Sequence, residues 1–380
     1  MAALLLSAGQ GYPTMCGTVV LIGAVSLLLG GTSGQIAYVS GTEQEDHCVC
    51  ILDLANGAVR RIGIGKCDGA PSWSPDGEWL AFTTGSAEGL AVAVVRADGS
   101  GLRIVSQRHG WNLWPRWSPD GKRLAYAAAE WDAFETRIIV CDLETGVESE
   151  WGEGKTGLMR PVWLNGVKLL YSLKQREEAL YGASAMNDVF RELEQLNAVV
   201  AVGTVGAPGA FSTDLFIVTA RATIPLVPRD LNTGSYFEWI VELSDRGSMI
   251  AVESNDGGDR EIFVYSKRGM ADVTNHREAD WNPVWSPDGQ WLAFESFRSG
   301  RRGVYRVYPE TTRVFPVAVA ADHDNWAPTW SPDGQWIAFV SDRTGDPEIY
   351  FTDASGNECH RVTDHCGGDY APAWRPEVDE

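Results

Sequence analysis

A chain of 380 residues with 44% hydrophobic and 22% charged residues can bury a large core, and this composition excludes an intrinsically disordered protein. The formal net charge is −20, from 51 acidic and 31 basic residues. Such a surface repels phosphate backbones and anionic lipid headgroups, so we expect no nucleic-acid partner. It attracts basic partners or cations, unless the acidity serves solubility alone.

The first 34 residues differ from the rest of the chain. Residues 15–31 form an uncharged apolar stretch, and the small residues that follow are typical of a signal peptide cleaved near Ser33 or Gly34. No Lys or Arg precedes Arg60, so the usual basic segment is missing. About 17 apolar residues also meet the lower limit for a membrane-spanning helix. The sequence therefore predicts a signal peptide or membrane anchor in residues 1–34, and a periplasmic, cell-surface or secreted protein that contacts a membrane through this segment only.

Six cysteines follow this leader: Cys48, Cys50, Cys67, Cys141, Cys359 and Cys366. An even count in an exported chain permits disulfides, and Cys359 with Cys366, close together across a turn, is the pair that we expect first. The alternative is a set of free, buried thiols. The spacing of Cys48 and Cys50 places both side chains on one face of a strand, which is too local for a zinc site.

The five-residue motif Trp-Ser-Pro-Asp-Gly recurs in the chain, and each copy is followed by an apolar strand. The copies begin at Trp73, Trp117, Trp285 and Trp330. Ser-Pro-Asp-Gly has the composition of a type I turn, so each copy predicts a β-hairpin. Burial of each indole against the neighbouring repeat contributes roughly 1.5 to 3 kcal/mol, which assigns these tryptophans to the core.

Weaker copies of the motif fill the gaps between the strong ones and give the chain a regular period. The apolar strands after the turns begin at Ile36, Leu80, Leu124, Leu169, Leu215, Ile250, Leu292 and Ile337. Their spacing of roughly 35 to 46 residues is typical of β-propellers, in which one four-stranded blade takes about 40 to 45 residues. The chain is therefore expected to be all-β, with a helix-like insertion only within residues 175–196.

The number of blades follows from the strand that precedes each turn. These first strands are predicted near Pro71, Pro115, Pro161, Phe211, Leu243, Pro283, Pro328 and Pro372. They indicate a single propeller of eight antiparallel blades over residues 35–376, with a tail at 377–380; seven blades are the alternative, because the step from Leu215 to Ile250 is short. Strands at both ends of the chain should complete one blade and close the ring, which removes free sheet edges.

The repeat, written PxWSPDGxxLAFxS followed by IYxxDxxG, resembles the TolB-type, WD-repeat-like β-propeller repeat family. It is also similar to repeats in the propeller domains of prolyl-oligopeptidase-type and tricorn peptidases. The resemblance covers nearly everything from Gln35 to Trp374. It implies a propeller that binds proteins, as TolB does with six blades and an additional small domain. This chain departs from that pattern by its larger number of repeats.

Motifs of catalysis and cofactor binding are missing from the sequence. It contains no Gly-x-Ser-x-Gly, no His-Glu-x-x-His and no phosphate-binding loop. The acidic stretch that begins at Asp322 lacks the Gly and the terminal Glu of an EF-hand. We therefore expect no enzyme, no metal site and no cofactor; calcium has no specific motif in its favour.

One pattern combines oxygen-bearing and aromatic residues at a single position of the repeat. Three residues before the proline of a first strand stand Asp68, Asn112, Asp280, Asn325 and Asp369, and the next position carries Trp281, Trp326 and Tyr370. If the first strands line a channel, these residues form a collar that can grip a cation, a sugar or a basic peptide. Alternatively, they stabilise turns and seal the gaps between blades.

A propeller without a catalytic constellation indicates a scaffold. The leading hypothesis is a non-enzymatic, exported, monomeric propeller whose loops bind a protein or peptide. The alternative is a ligand binder or enzyme at the channel mouth, acting through the collar.

Overall fold

The computed structural model shows an all-β protein. It describes residues 34–41, 47–63, 68–86, 89–131, 135–152, 157–164, 198–205, 212–220, 223–225, 238–244, 249–255, 259–266, 269–364 and 367–377. These residues contain 28 strands and no helix, and hence no helix that is long and apolar enough to span a membrane. Apart from Gly34, the predicted leader lies outside the described residues, as does Cys366 of the predicted disulfide.

Five sheets are separate and four-stranded. One contains β1 (Gln35–Ser40), β2 (Cys48–Asp53), β3 (Val59–Arg61) and β28 (Asp369–Trp374). The next contains β12 (Leu158–Trp163), β13 (Val199–Val205), β14 (Ser212–Val218) and β15 (Thr223–Pro225). A third contains β16 (Glu238–Leu243), β17 (Ile250–Ser254), β18 (Glu261–Ser266) and β19 (Gly269–Asp272). The last two contain β20 (Asp280–Trp285), β21 (Leu292–Ser296), β22 (Gly303–Tyr308) and β23 (Arg313–Ala318), and β24 (Asn325–Trp330), β25 (Trp336–Ser341), β26 (Glu348–Asp353) and β27 (Cys359–Arg361).

The remaining strands form one eight-stranded sheet. They are β4 (Gly69–Trp73), β5 (Trp79–Ser86), β6 (Gly89–Arg96), β7 (Arg103–Ile104), β8 (Gly110–Trp117), β9 (Arg123–Ala129), β10 (Arg137–Asp142) and β11 (Glu148–Trp151). Within each half, β4–β7 and β8–β11, the pairing is antiparallel. The halves are joined by a short parallel contact, in which Gly89 and Leu90 of β6 lie opposite Gly110 and Trp111 of β8.

The predicted number of blades is wrong. Eight blades were predicted, with seven as the alternative. The described part of the chain instead contains five separate four-stranded sheets and one eight-stranded sheet. The sequence pattern placed a first strand near Phe211 and a second strand from Leu215. Leu215 instead lies in β14, opposite Val202 of β13, and is part of a third strand. Two of the predicted units therefore form one sheet. The connection from β12 to β13 in this sheet includes residues 165–197, which contain the predicted insertion and lie outside the described residues.

The first strands of the repeats contact one another in sequence order. Contacts run from β4 to β8, β12, β16, β20 and β24, and β28 touches both β24 and β4. Strand β28 also pairs with β1, so that Ile36 lies opposite Trp374. These strands surround a space that we call the central channel. The mouth of the channel is the end at which the first strands begin.

The four Ser-Pro-Asp-Gly segments form the same hydrogen-bonded turn. In the segment after Trp330, the Oγ of Ser331 donates to Oδ1 of Asp333 (2.5 Å) and accepts from the backbone N–H of Trp336 (2.9 Å). Gly334 has φ of +69°, in the left-handed region that glycine adopts without steric cost. The other three segments repeat these bonds, which confirms the predicted hairpins.

The tryptophans of the motif connect neighbouring first strands. The indole N–H of Trp117 donates to the carbonyl of Ser72 (2.9 Å), and that of Trp330 donates to the carbonyl of Val284 (3.1 Å). Trp73 and Trp163 make the equivalent bonds to their preceding strands. All of these rings are less than 9% exposed, so the assignment of the repeated tryptophan to the core is confirmed.

The apolar core lies between adjacent sheets. One cluster, for example, combines Ile36 and Leu52 of the β1–β3 sheet with Ala338 and Phe351 of the β24–β27 sheet. Each sheet therefore buries both faces, which explains the continuous apolar runs of its second and third strands.

Candidate functional site at the mouth of the channel

A bulge distorts each proline-containing first strand in the same place. The residue before the proline has positive φ in all six of these strands: Ala70, Trp114, Arg160, Asn282, Ala327 and Ala371. The pairing with the second strand shifts register there, for example between Trp326 and Thr329 of β24. A bulge re-aims the side chains around it, and left-handed backbone at non-glycine residues is costly and concentrates at functional sites.

The predicted oxygen-bearing residues all lie at the mouth, where the first strands begin, and all are buried. Their exposed fraction is at most 2% in each case: Asp68, Asn112, Asp280, Asn325 and Asp369. Their register positions are equivalent, since Asp280 lies opposite Ser296 and Asn325 lies opposite Ser341. They stand at the same end of the first strands, and the groups with described hydrogen bonds are bonded within the protein.

Buried collar residues are held by partners in their own sheet. The guanidinium of Arg298 donates to Oδ2 of Asp280 (2.7 Å), and that of Arg343 donates to Oδ1 of Asn325 (3.0 Å). Each arginine also donates from Nε to the serine two residues earlier, Ser296 or Ser341. This Ser-x-Arg arrangement ties the start of the first strand to the turn after the second strand.

The other two collar residues with described partners are also engaged within the protein. The hydroxyl of Thr84 donates to Oδ1 of Asp68 (2.5 Å). The amide of Asn112 donates to the carbonyls of Leu90 (3.0 Å) and Arg108 (2.9 Å). These contacts are those expected if the collar stabilises strand ends.

Unlike the oxygen-bearing residues, the aromatic residues of the collar are accessible to solvent. Trp281, Trp326 and Tyr370 are each partly exposed at the mouth. The guanidinium of Arg302 lies between the two indoles, 5.7 Å from the ring centre of Trp281 and 5.4 Å from that of Trp326. Cation–π contacts of this kind hold an arginine and two tryptophans in a fixed surface.

Two buried glutamates, which the sequence analysis did not identify, support this surface. Glu295 of β21 is 1% exposed and accepts from Arg302 (2.5 Å), from the amide of Asn282 (2.8 Å) and from the N–H of Ala327 in the next sheet (2.8 Å). Glu253 of β17 repeats the arrangement with Arg260 and the N–H of Asn282. Each carboxylate therefore accepts a hydrogen bond from the backbone N–H of the residue with positive φ in the bulge of the next sheet.

A pair of carboxyl groups lies beside the start of β20. Glu261 is 6% exposed and accepts from the hydroxyl of Thr274 (2.6 Å) and from the N–H of His276 (2.8 Å). Burial, with the neighbouring charge of Asp280, raises the pKa of Glu261 to about 7. Burial likewise raises the pKa of Asp280, although Ser296 and Arg298 oppose the shift. Two carboxyl groups in contact favour a state in which one of them holds a proton.

The described cysteines are free thiols. Cys359 is exposed, and its sulfur lies 3.1 Å from a guanidinium nitrogen of Arg343, while Cys48 and Cys50 are buried, free thiols. In the described ranges no group of three or more His, Cys, Asp or Glu side chains is placed to hold a metal ion.

An exposed aromatic pair lies at the start of β8, next to the collar residue Asn112. Trp111 is 48% exposed and Trp131 is 59% exposed, with ring centres 6.3 Å apart. Trp131 lines a cavity of about 480 Å³ together with Arg108, Glu135 and Arg137.

Two curated proteins are similar to this chain, and no protein-family model matches it. A Protein TolB homolog from Chlorobium chlorochromatii (strain CaD3) is 27% identical over 227 residues, which are 54% of this chain and 50% of the relative. A Tol-Pal system protein TolB from Desulfosudis oleivorans is 32% identical over 118 residues, 30% of this chain and 26% of the relative. The chain thus matches half or less of the length of these relatives.

Solved structures share the fold at low identity. TolB from Acinetobacter baumannii matches 93% of this chain and 70% of its own length, with 16% identity and a TM-score of 0.56. The β-propeller domain of the Trilobed protease from Pyrococcus furiosus matches 87% of this chain and 95% of its own length, with 14% identity and a TM-score of 0.62. At these identities the likeness shows the β-propeller fold alone.

Proposed function

The chain carries a β-propeller of the TolB type, and from this premise we propose that it is a non-enzymatic, exported scaffold that binds a protein or peptide. The partner contacts the mouth of a ring that the β1–β28 pairing closes. Extracytoplasmic location is supported by the apolar leader in residues 15–31, which is typical of export.

The accessible aromatic surface at the mouth is the observation that carries this proposal. Trp281, Arg302 and Trp326 form a stack that is partly exposed and supported from beneath by Glu295. Tryptophan, tyrosine and arginine are the residue types enriched in the energetic centres of protein interfaces. A surface held in place before binding loses less conformational entropy when the partner arrives.

The relatives suggest the class of partner. One of them is called a Tol-Pal system protein, and we propose a cell-envelope protein partner of that kind for this chain. The mouth would receive a loop or an extended segment of the partner, since loops at one end of a propeller surround its channel.

Site-specific photocrosslinking tests this proposal. A photoreactive phenylalanine analogue replaces Trp326 at the mouth in the full chain, and the matched control carries it at Val147, which is 63% exposed in the turn between β10 and β11, at the other end of the sheet. The proposal expects a discrete crosslinked protein from envelope extracts at position 326 and none at position 147. Trp281→Ala should weaken capture at least tenfold. Equal crosslinking at both positions, or none at 326, contradicts the proposal.

A second candidate function, acid–base catalysis or ligand binding by the collar, is favoured by the Glu261 and Asp280 pair. A carboxyl group with a pKa of about 7 suits general acid–base work at neutral pH. Against it, both groups are almost completely buried and already bonded to Thr274, His276 and Arg298.

A double substitution separates the two functions. Asp280→Ala with Asp369→Ala should abolish turnover or cation binding under the second function. The scaffold function expects partner capture by the mouth aromatics to persist in the variant, provided that circular dichroism shows it to be folded. Loss of a measured turnover in the folded variant would overturn the non-enzymatic proposal.

A further inference from the structure

A cavity of about 480 Å³ opens where β9 ends and β10 begins, at the mouth side of the eight-stranded sheet. Its lining includes Ala128, Glu130 and Trp131 from the end of β9, and Arg108 and Arg137 from the neighbouring segments. Ligand pockets commonly measure roughly 300 to 1,000 Å³, so this cavity accommodates a small organic ligand. The proposed scaffold function makes no use of it.

The cavity lies where this sheet departs from the repeat. In two other sheets a serine ends the second strand, and the arginine two residues later, Arg298 or Arg343, donates to the collar residue of the first strand. The equivalent residues by register are Ala128, which lies opposite Asn112, and Glu130. The side chain of Glu130 is exposed, and Oδ1 of the buried Asn112 has no hydrogen-bond partner among the described residues. The space that an arginine fills in the regular sheets is therefore open to a ligand here.

Two exposed tryptophans stand together at this cavity. Trp131 lines it, and the ring centre of Trp111 lies 6.3 Å away with the two ring planes at 70°. Trp131 is held against the backbone of Gly89, where an added Cβ would lie only 3.1 Å from the indole. Grouped, exposed aromatic rings at a concave site indicate ligand binding, because their large apolar faces contribute little to the protein's own core.

The polar groups of the lining carry both signs of charge. The guanidinium groups of Arg108 and Arg137 both lie near Oε2 of Glu150, at 3.8 and 3.7 Å, and each keeps further N–H donors for a ligand. Glu130 and Glu135 are exposed, and within the described part of the chain neither makes a hydrogen bond or ion pair. A cation in the cavity would meet the two arginines, and an anion would meet the two free carboxylates. A hydroxyl group both donates and accepts hydrogen bonds, so an uncharged polyhydroxy ligand matches the whole lining.

We propose that this cavity binds an uncharged saccharide. The apolar face of a pyranose ring stacks on the indole of Trp131. The hydroxyl groups of the sugar donate to Glu130 and Glu135 and accept from the arginines of the opposite sign, and such charge-assisted hydrogen bonds are strong. This site is separate from the mouth surface formed by Trp281, Arg302 and Trp326, so the inference goes beyond the scaffold function and does not depend on it.

Titration with defined oligosaccharides tests the site. The probes are uncharged tetrasaccharides of glucose, mannose, galactose or N-acetylglucosamine, titrated into the full chain up to about 10 mM and followed by calorimetry. Tetragalacturonate and the glucosamine tetramer serve as anionic and cationic references. We expect an uncharged probe to bind, Trp131→Ala to weaken its binding at least tenfold, and Trp131→Phe to retain part of the affinity because it keeps an aromatic face. The matched control, Phe297→Ala, removes a ring that is 37% exposed in another sheet and should change affinity less than twofold.

A double substitution that restores the repeat provides a second test. Ala128→Ser with Glu130→Arg supplies the serine and arginine of the regular sheets, and the introduced guanidinium can donate to the unpaired Oδ1 of Asn112. Because the new side chain fills the cavity, saccharide affinity should fall at least tenfold. The melting temperature should not fall, since the variant gains a hydrogen bond that the regular sheets already have.

Several results would overturn the saccharide site. They are the absence of binding by every uncharged probe, preferential binding of either charged reference, and equal effects of Trp131→Ala and Phe297→Ala. Undiminished affinity in the folded double variant would also overturn it, because the sugar would then lie elsewhere. The crosslink at position 326 is measured separately, so rejection of the saccharide site leaves the scaffold function standing.

Discussion

The sheet formed by β24–β27 and the sheet formed by β12–β15 use equivalent positions in different ways. The first strand of the β24–β27 sheet carries Asn325 at its start, bonded to Arg343, and a small residue, Ala327, before its proline. In the β12–β15 sheet the same positions carry a buried leucine, Leu158, and Arg160. Where the polar residue is present, it ties the first strand to the turn after the second strand; where leucine replaces it, apolar packing takes its place. The buried polar residues of the collar therefore serve the fold, and the accessible aromatic residues beside them are the candidates for partner binding.

The largest expected effect is the loss of a buried carboxylate in a regular sheet. Glu295→Ala leaves the guanidinium of Arg302 and the N–H of Ala327 without their acceptor, which should lower the free energy of unfolding by about 3 to 5 kcal/mol. Urea denaturation measures the change, with the exposed Glu310→Ala as control. A loss below about 1 kcal/mol would mean that this carboxylate does not hold adjacent sheets together.

A pH dependence should distinguish the sheet that contains the carboxyl pair. Burial raises the folded-state pKa of Glu261 from its usual value of 4.5 to about 7. Between these two pH values the folded protein binds a proton that the unfolded chain has lost, so stability falls as pH rises from 4.5 to 7. The difference in unfolding free energy between wild type and Glu261→Gln should change by about 2 kcal/mol between pH 4.5 and 7. Parallel stability curves of the two proteins would contradict the assignment.

Exchanging the residues that differ between the two sheets should be costly in both directions. Asn325→Leu removes the acceptor of Arg343, and Leu158→Asn buries an amide in an apolar cluster; each should cost about 1 to 3 kcal/mol. Thermal and urea unfolding measure both variants. If Leu158→Asn is neutral, the two positions are interchangeable and the comparison fails.

The smallest effect concerns the repeated indoles. Trp330→Phe removes the N–H bond to the carbonyl of Val284 and should cost about 1 kcal/mol beyond the change in ring size. Trp374→Phe provides the matched control, since in the described structure its indole nitrogen has no acceptor. Equal losses in the two variants would show that ring packing, and not the hydrogen bond, connects the first strands.

Local chemistry in the sequence predicted the turns, the buried tryptophans and the all-β fold, because each depends on a few adjacent residues. The number of sheets was wrong because the strand around Leu215 was read as a second strand, whereas it is the third strand of a sheet whose first connection includes residues 165–197. An apolar β-run does not reveal its place in a sheet; pairing partners far along the chain decide it.

The equivalent strand positions of the collar residues follow from their spacing in the sequence, but their bonding partners do not. The spacing of Asp280, Asn325 and Asp369 does not show whether a carboxylate or amide faces solvent or an internal arginine. Glu295 was missed because it occupies a position that most repeats fill with a different residue. A comparison of each repeat with the others, position by position, would have marked it.

The division between buried collar residues that serve the fold and accessible aromatic residues that bind a partner is tested most directly by measuring stability and partner capture on the same two variants. The account predicts that Asn325→Leu lowers the free energy of unfolding by about 1 to 3 kcal/mol and leaves partner capture within twofold of the wild type. Trp281→Ala should leave stability within about 1 kcal/mol and lower partner capture at least tenfold. Loss of both properties in each variant, or the reverse assignment, would contradict the account.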